Sequence, residues 1–250
     1  MTKKLIIIPT YNERENIRPM IEAVMSLPLF ADLLIVDDNS PDGTALLVKE
    51  AQQDFPNRIH LISRSGKLGL GTAYINGFKF ALSHGYDYVF EMDCDFSHNP
   101  ADIQRLYDEC ELNGSDMAVG SRYKSGVNVV NWPMGRVLMS YFASRYVRFI
   151  TRMPVNDTTA GFVCYKADVL RAMDLDNIRF KGYAFQIEMK FTAYQLGYKV
   201  SEVPIVFTNR VLGTSKMNSG IFGEAFLGVI SMKLRSLFKK PRRKSENADI

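Results

Sequence analysis

The chain lacks the marks of several protein classes. Among its 250 residues there is no run of eighteen apolar residues, so no membrane-spanning helix is expected. Cys94, Cys110 and Cys164 are odd in number and lack CxxC or CxxH spacing. That argues against a disulfide framework and a zinc site, and for a reducing compartment. His60, His84 and His98 have no metal-ligand spacing, no Gly-x-Ser-x-Gly elbow is present, and nothing suggests a thiol nucleophile. Repeats and low-complexity segments are missing too. Apolar residues make up 46% and charged residues 23%, which excludes a disordered chain, a coiled coil and a fibre. The start, MTKKLIIIPTYNE, has two lysines but a short apolar run and no small-residue cleavage site; it reads as a first strand, not a signal peptide.

What is present is unevenly placed. Seven cations (Lys233, Arg235, Lys239, Lys240, Arg242, Arg243 and Lys244) lie close together with no acid among them. Without those seven the formal charge of +4 becomes −3. A mildly acidic body with a basic tail points to an anionic surface as partner, either a nucleic acid or a membrane leaflet.

Apolar runs alternate with amphipathic stretches through the first half. Strands are expected at 5–8, 33–36, 59–63, 88–92 and 117–120. Helices are expected from Asn12 as cap to about 26, then at 44–54, 70–84 and 100–112. This alternation predicts βαβ units and a mostly parallel α/β sheet. The second half is less regular. Helices are expected at 132–151 and 183–196, and a strand at 200–206, where Pro204 marks an edge. A last helix at 219–238 carries Phe222, Phe226, Val229, Ile230, Leu234 and Leu237 on one face.

In such a sheet, ligands sit beyond the carboxyl ends of the strands. Polar residues gather there: Pro9 to Glu13 after the first strand, Asp37 to Gly43 after the second, Asp93-Cys94-Asp95 after the fourth, and Gly120 to Tyr123 after the fifth. Each alone can be a turn. Asp93 and Asp95 together can converge on a hard divalent cation, Mg2+ or Mn2+, which keeps open positions for water and phosphate. A helix cap would explain only one of the two acids. The stretch Gly66 to Gly71 (GKLGLG) precedes a helix; it either cradles a phosphate or lets a backbone pass closely. Arg122, Arg136, Arg210 and Lys216 lie in or beside Gly-, Ser- and Asn-containing segments that suit phosphate groups. Arg136 and Ser140 share a helix face.

In this order, PTYNE, VDDNSPDGT, GLGTAY, DCDFSHNP, GSRY, DTTAGF and RVLGTSK resemble segments of the dolichyl-phosphate (polyprenol-phosphate) mannosyltransferases. These are inverting enzymes of glycosyltransferase family 2. The resemblance spans about residues 4–220. It implies the GT-A fold, a Rossmann-like, mostly parallel sheet flanked by helices, over residues 1–218, with 219–250 an amphipathic helix and basic tail. It further implies GDP-mannose as donor, a polyprenyl or dolichyl phosphate as acceptor, and Mg2+ or Mn2+ as cofactor.

By this resemblance Pro9, Tyr11, Glu13, Val36, Asp37 and Asp38 surround the nucleoside, with Cys94 beside the metal acids Asp93 and Asp95. Arg122, Arg136 and Ser140 match positions around the acceptor phosphate, and Arg210 and Lys216 the loop that closes over the donor. Asp95, Arg122, Arg210 and Lys216 would carry the reaction by stabilising charge. The acceptor is already an anion, so no strong general base is required; Asp157 and Glu188 are left as contacts to sugar hydroxyls.

Two positions depart from the family. Ser97 stands where some relatives have a Gln that serves as a third metal ligand. The chain also ends in an amphipathic helix and KKPRRK where many relatives have transmembrane helices. Peripheral attachment to the cytosolic face of a membrane through residues 222–244 is therefore expected, and no nucleic-acid partner. The alternatives are a UDP-sugar donor (glucose or an N-acetylhexosamine) and a nucleic-acid-binding module using the tail.

Overall fold

A computed structural model describes residues 2–210 and 221–238. The elements are β1 (Lys4–Thr10), α1 (Arg14–Met25), β2 (Asp32–Asp37), α2 (Thr44–Asp54), β3 (Ile59–Ser63), α3 (Leu70–Ser83), β4 (Tyr88–Glu91), α4 (Asp102–Glu111) and β5 (Met117–Ser121). There follow β6 (Val129–Val130), α5 (Met134–Thr151), β7 (Val163–Lys166), α6 (Ala167–Ala172), α7 (Tyr183–Gln195), β8 (Val200–Pro204), β9 (Phe207–Thr208) and α8 (Ile221–Phe238).

A seven-stranded sheet runs β3-β2-β1-β4-β7-β5-β8, and β6 pairs with β9 in a small second sheet. The pairs β3–β2, β2–β1, β1–β4 and β5–β8 are parallel; β7 alone is antiparallel to both its neighbours. β1 is central, and its Leu5–Ile8 run is fully buried because helices cover both faces of the sheet. Strand alternation sends Ile6 and Ile8 to one layer with Ile17, Ile21, Val48 and Leu106 of α1, α2 and α4. Leu5 and Ile7 go to the other layer with Tyr74, Phe78, Val169, Phe185 and Met189 of α3, α6 and α7. Gly77 of α3 lies so close to Ile7 that an added Cβ would come within 2.8 Å of its side chain.

Most expected elements of the first half appear within two residues of their predicted bounds. Asn12 does not cap α1. It adopts φ 55°, and the helix starts at Arg14 with Glu13 in the cap position. β7 and α6 were not anticipated, because the second half lacks the regular strand–helix alternation that disclosed β4, a strand of the same length. β8 lies at the sheet edge, as Pro204 suggested.

The last helix does not stand apart from the body. Val229 and Met232 of α8 pack with Val147 of α5 and Ile187 and Phe191 of α7. Gly228 faces the Phe180 ring. Of the expected apolar face, Val229 is buried while Phe226, Leu234 and Leu237 are exposed. The side chain of Phe222 and residues 239–244 lie outside the described residues.

Candidate active site

The parallel strands β1, β2, β4 and β5 all end at one edge of the sheet, and in such a sheet the cleft for ligands lies over the turns that follow. The turn after β4 carries the acids. Asp95 is 7% exposed; its Oδ1 accepts the Ser97 amide at 3.0 Å and its Oδ2 lies 3.1 Å from Arg210 Nη2. Asp93 is open to the cleft, with 41% of its side chain exposed. Between them and Ser97, Phe96 sits at φ 57°, a left-handed conformation that a bulky side chain rarely adopts.

Burial around its base and then the Asp95 carboxylate push Asp93 up to about 7; Glu13 adds to the repulsion, and Arg210 and Arg122 oppose it. His98 does not neutralise the pair. Burial lowers it to about 4, so it is neutral, and its Nδ1 accepts the Asp93 amide at 3.3 Å. Its ring stacks on Phe162 with centroids 4.9 Å apart. Two mutually repelling oxygen donors at the mouth of a cleft fit Mg2+ or Mn2+, which take part of their coordination from water and substrate. Among the described residues no third His, Cys, Asp or Glu completes a cluster with them. Ser97 is buried beside Asp95.

On the β1–β2 side, most of the predicted polar groups are already engaged. Asp37 accepts the Thr10 hydroxyl at 2.8 Å, and the Ser40 hydroxyl at 2.6 Å and amide at 2.9 Å. Asp38 is held by Arg64 at 2.5 Å. Arg64 also donates to Thr72 Oγ1 and the Gly69 carbonyl, so one guanidinium fastens the GKLGLG stretch to the end of β2. That stretch passes close to other protein: a Cβ on Gly71 would meet Phe185 at 2.7 Å and the Phe180 carbonyl at 2.8 Å. Gly71, and Gly69 at φ 103° with Lys181 3.1 Å from an added Cβ, fit the second of the two readings, whereas Gly66 has nothing within 4 Å of that position. Tyr11 is half-exposed, with Lys67 Nζ 5.2 Å from its ring centroid. Pro9 and Glu13 are also half-exposed, and Glu13 accepts from Asn16 at 2.9 Å.

Two residues expected at the nucleotide-sugar site have buried side chains. Val36 is fully buried in the layer of Leu34 and Ala73, because β2 is covered on both faces. Cys94 points the other way from the acids that flank it, into the layer of Phe90 and Ile103, with 3% exposed.

The β5 side is cationic and aromatic. Arg122 grips Asp157 through Nε at 2.7 Å and Nη2 at 2.6 Å, and Nη2 also donates to Thr159. The Arg122 guanidinium lies 5.3–5.6 Å from the rings of Tyr123, Trp132 and Phe207. Arg136, one turn into α5, stacks on Trp132 at 3.9 Å and donates to Asn209 at 3.2 Å. Ser140 lies beside the Tyr123 hydroxyl. Trp132 Nε1 is buried and has no hydrogen-bond partner among the described residues. A stranded donor beside two guanidinium groups suits an oxyanion.

Arg122, Arg136, Ser140 and Arg210 are thus brought to the side of the cleft beside Asp93 and Asp95. Lys216 lies outside the described residues. Asp157 is wholly buried in its pair with Arg122, and Glu188 accepts the amides of Arg179 and Phe180; neither faces the cleft as a free sugar contact. The sequence reading missed Arg64, Trp132 and Asn209. A lone tryptophan outside every family segment gave little signal, and Arg64 is recognisable only once β2 and β3 are paired.

Against known proteins, residues 5–177 match the family model for glycosyl transferase family 2. The polyprenol monophosphomannose synthase of Mycolicibacterium smegmatis is 42% identical over 96% of this chain and 90% of its own length. The undecaprenyl-phosphate mannosyltransferase of Micrococcus luteus is 44% identical over 90% of this chain and 91% of its own. Among solved structures, the glucosyl-3-phosphoglycerate synthase of Mycobacterium tuberculosis, bound to Mn2+, UDP and glucosyl-3-phosphoglycerate, superposes with a TM-score of 0.67. It is 18% identical, over 94% of this chain and 79% of that one, which speaks for the GT-A fold alone. Sheet order, rim acids and these matches agree: the chain belongs to glycosyl transferase family 2 and has the GT-A fold.

Proposed function

We propose that this protein transfers mannose from GDP-mannose to a polyprenyl or dolichyl phosphate, with inversion, using Mg2+ or Mn2+. The observation that carries the reading is the juxtaposition of two unlike sites in one cleft. Asp93 and Asp95 form one, and the Arg122–Trp132–Arg136 cluster forms the other. The relatives named as polyprenyl-phosphate mannosyltransferases support the substrate class.

A cation held by Asp93 and Asp95 would supply charge to the leaving diphosphate. Arg210, and Lys216 of the same RVLGTSK motif, would add to that charge. Arg122 and Arg136, with Ser140 and Trp132 Nε1, would bind the acceptor phosphate and orient one of its oxygens toward the anomeric carbon. That oxygen forms the new bond as the bond to the nucleoside diphosphate breaks. The phosphate needs no deprotonation, which accords with the neutral, buried His98.

A membrane surface is the second partner in this reading. Among the described residues no helix is long and apolar enough to cross a bilayer. Along α5, Met134, Leu138, Phe142 and Phe149 are exposed, and Phe149 is 81% exposed. Phe149, with Leu234 and Leu237 of α8 and the cations Arg148, Arg152 and Lys233, lines one groove; Met134, Leu138 and Phe142 are further exposed apolar side chains of α5. Apolar side chains flanked by cations suit an anionic leaflet. We place the expected attachment on α5 as well as on residues 222–244, at a cytosolic membrane face.

The test offers GDP-mannose, GDP-fucose, UDP-glucose and UDP-N-acetylglucosamine with a polyprenyl phosphate in vesicles. Mannosyl lipid from GDP-mannose is expected. Product from UDP donors alone overturns the donor assignment.

A further inference from the structure

Beneath the cleft floor lies a buried polar chain that neither the motifs nor the family resemblance assigned. Glu91, the last residue of β4, is fully buried two residues before Asp93. Its carboxylate accepts Tyr165 OH from β7 at 3.2 Å and Gln186 Nε2 from α7 at 2.6 Å. One turn further along α7, Lys190 is also fully buried. Its ammonium donates to Gln186 Oε1 at 3.2 Å, to the Gln186 carbonyl at 3.1 Å and to the Ala160 carbonyl at 2.6 Å. Ala160 closes the turn that begins at Asp157, the residue holding Arg122 by three hydrogen bonds.

The Lys190 ammonium donates to three neutral oxygens. Its charge is balanced at one remove, by Glu91 on one side and Asp157 on the other. A buried charge costs several kcal/mol, and apolar side chains of similar size usually fill such a space at least as stably. Stability alone therefore does not account for it. Its position does: the chain Glu91–Gln186–Lys190–Ala160 is a strut from the strand that ends in Asp93 and Asp95 to the turn that fixes Arg122. A shift at either end would change the spacing between the donor's diphosphate side and the acceptor's phosphate side, and misplacement of that kind is costly to a reaction between two bound groups.

We infer that Lys190 is a positioning residue for the transfer, its buried ammonium setting the Arg122 turn relative to the Asp93–Asp95 turn. The inference rests on the proposed transfer between a nucleotide sugar and a lipid phosphate.

Two variants test it: Lys190→Met and the double variant Glu91→Gln/Lys190→Met. The single variant leaves Glu91 buried without its cation and is expected to unfold at a lower temperature. The double variant removes both charges and is expected to recover most of that loss. In the double variant, GDP affinity measured by calorimetry with MnCl2 should stay within about twofold of wild type. The KM for polyprenyl phosphate should rise, or kcat fall, by about tenfold or more. The inference is overturned if the recovered double variant transfers with wild-type constants. It is equally overturned if GDP affinity and acceptor constants worsen by the same factor, since that is general loosening. A wild-type chain that transfers no sugar to the lipid phosphate removes the proposed function, and the inference with it.

Discussion

Each side of the cleft is anchored by one buried arginine–aspartate pair, and the two pairs behave differently. On the proposed donor side Arg64 holds Asp38 between β3 and β2; on the proposed acceptor side Arg122 holds Asp157 between β5 and the turn before β7. For Asp38, burial outweighs the pull of Arg64 and the carboxyl is raised above its ordinary value. For Asp157 burial also acts upward, but the charge and hydrogen bonds of Arg122 prevail and the carboxyl is lowered. The difference follows from geometry. Arg64 reaches one oxygen of Asp38 through Nε and Nη2, while Nη1 goes to Thr72 and Nη2 is shared with the Gly69 carbonyl, and neighbouring Asp37 adds repulsion; Arg122 gives both Asp157 oxygens a donor and adds its own amide. The donor-side arginine is spent on fastening a loop; the acceptor-side arginine is locked to its partner.

The largest expected effect lies on the acceptor side. Asp157→Ala strands the Arg122 guanidinium in a buried place and should cost about 3–5 kcal/mol of stability. Urea denaturation measures it, and a loss under about 1 kcal/mol would show that water reaches Arg122 and that the pair is not dry. Next is the metal pair. Asp95→Ala should lower transfer by about a hundred- to a thousandfold while the fold survives, because Asp95 sits at the cleft and not in the core layers. Near-native transfer at saturating MnCl2 would remove Asp95 from the reaction. Third is the outer surface of α5. Replacing Leu138 and Phe142 with Gln should weaken flotation with anionic vesicles by about tenfold per side chain, on the scale of burying one apolar group. Unchanged flotation would shift attachment wholly to residues 222–244.

The two sides also differ in how far the sequence disclosed them. The donor half is built from βαβ units in which each strand, helix and polar turn is local, so β1 to β5 and the acids at their ends were readable from periodicity alone. The acceptor half depends on contacts between distant residues. Arg122 and Asp157 are 35 positions apart, and the strut through Glu91 and Gln186 joins residues 95 apart. β7 enters the sheet antiparallel, so its direction does not follow from its neighbours. Val36 and Cys94, placed at the nucleotide-sugar site by the family resemblance, have side chains that the structure turns into the core layers, which their positions beside polar residues did not disclose.

The smallest effect separates the two pairs by sign. Because Asp157 is lowered, its contribution is complete above the ordinary carboxylate value and is lost as pH falls through its folded value. Because Asp38 is raised, its contribution is greatest below the ordinary value and declines as pH rises through its folded value. Asparagine at either position cannot titrate, so each variant is a pH-independent reference for its own site. As the pH is lowered from neutrality toward 3, the stability advantage of wild type over Asp157→Asn should shrink. Over the same range wild type should gain on Asp38→Asn. Denaturation midpoints of the three proteins across that range test both slopes at once. Parallel slopes for the two variants would mean that the two arginines bind their carboxylates alike, and that the one-oxygen and two-oxygen geometries do not distinguish the donor side from the acceptor side.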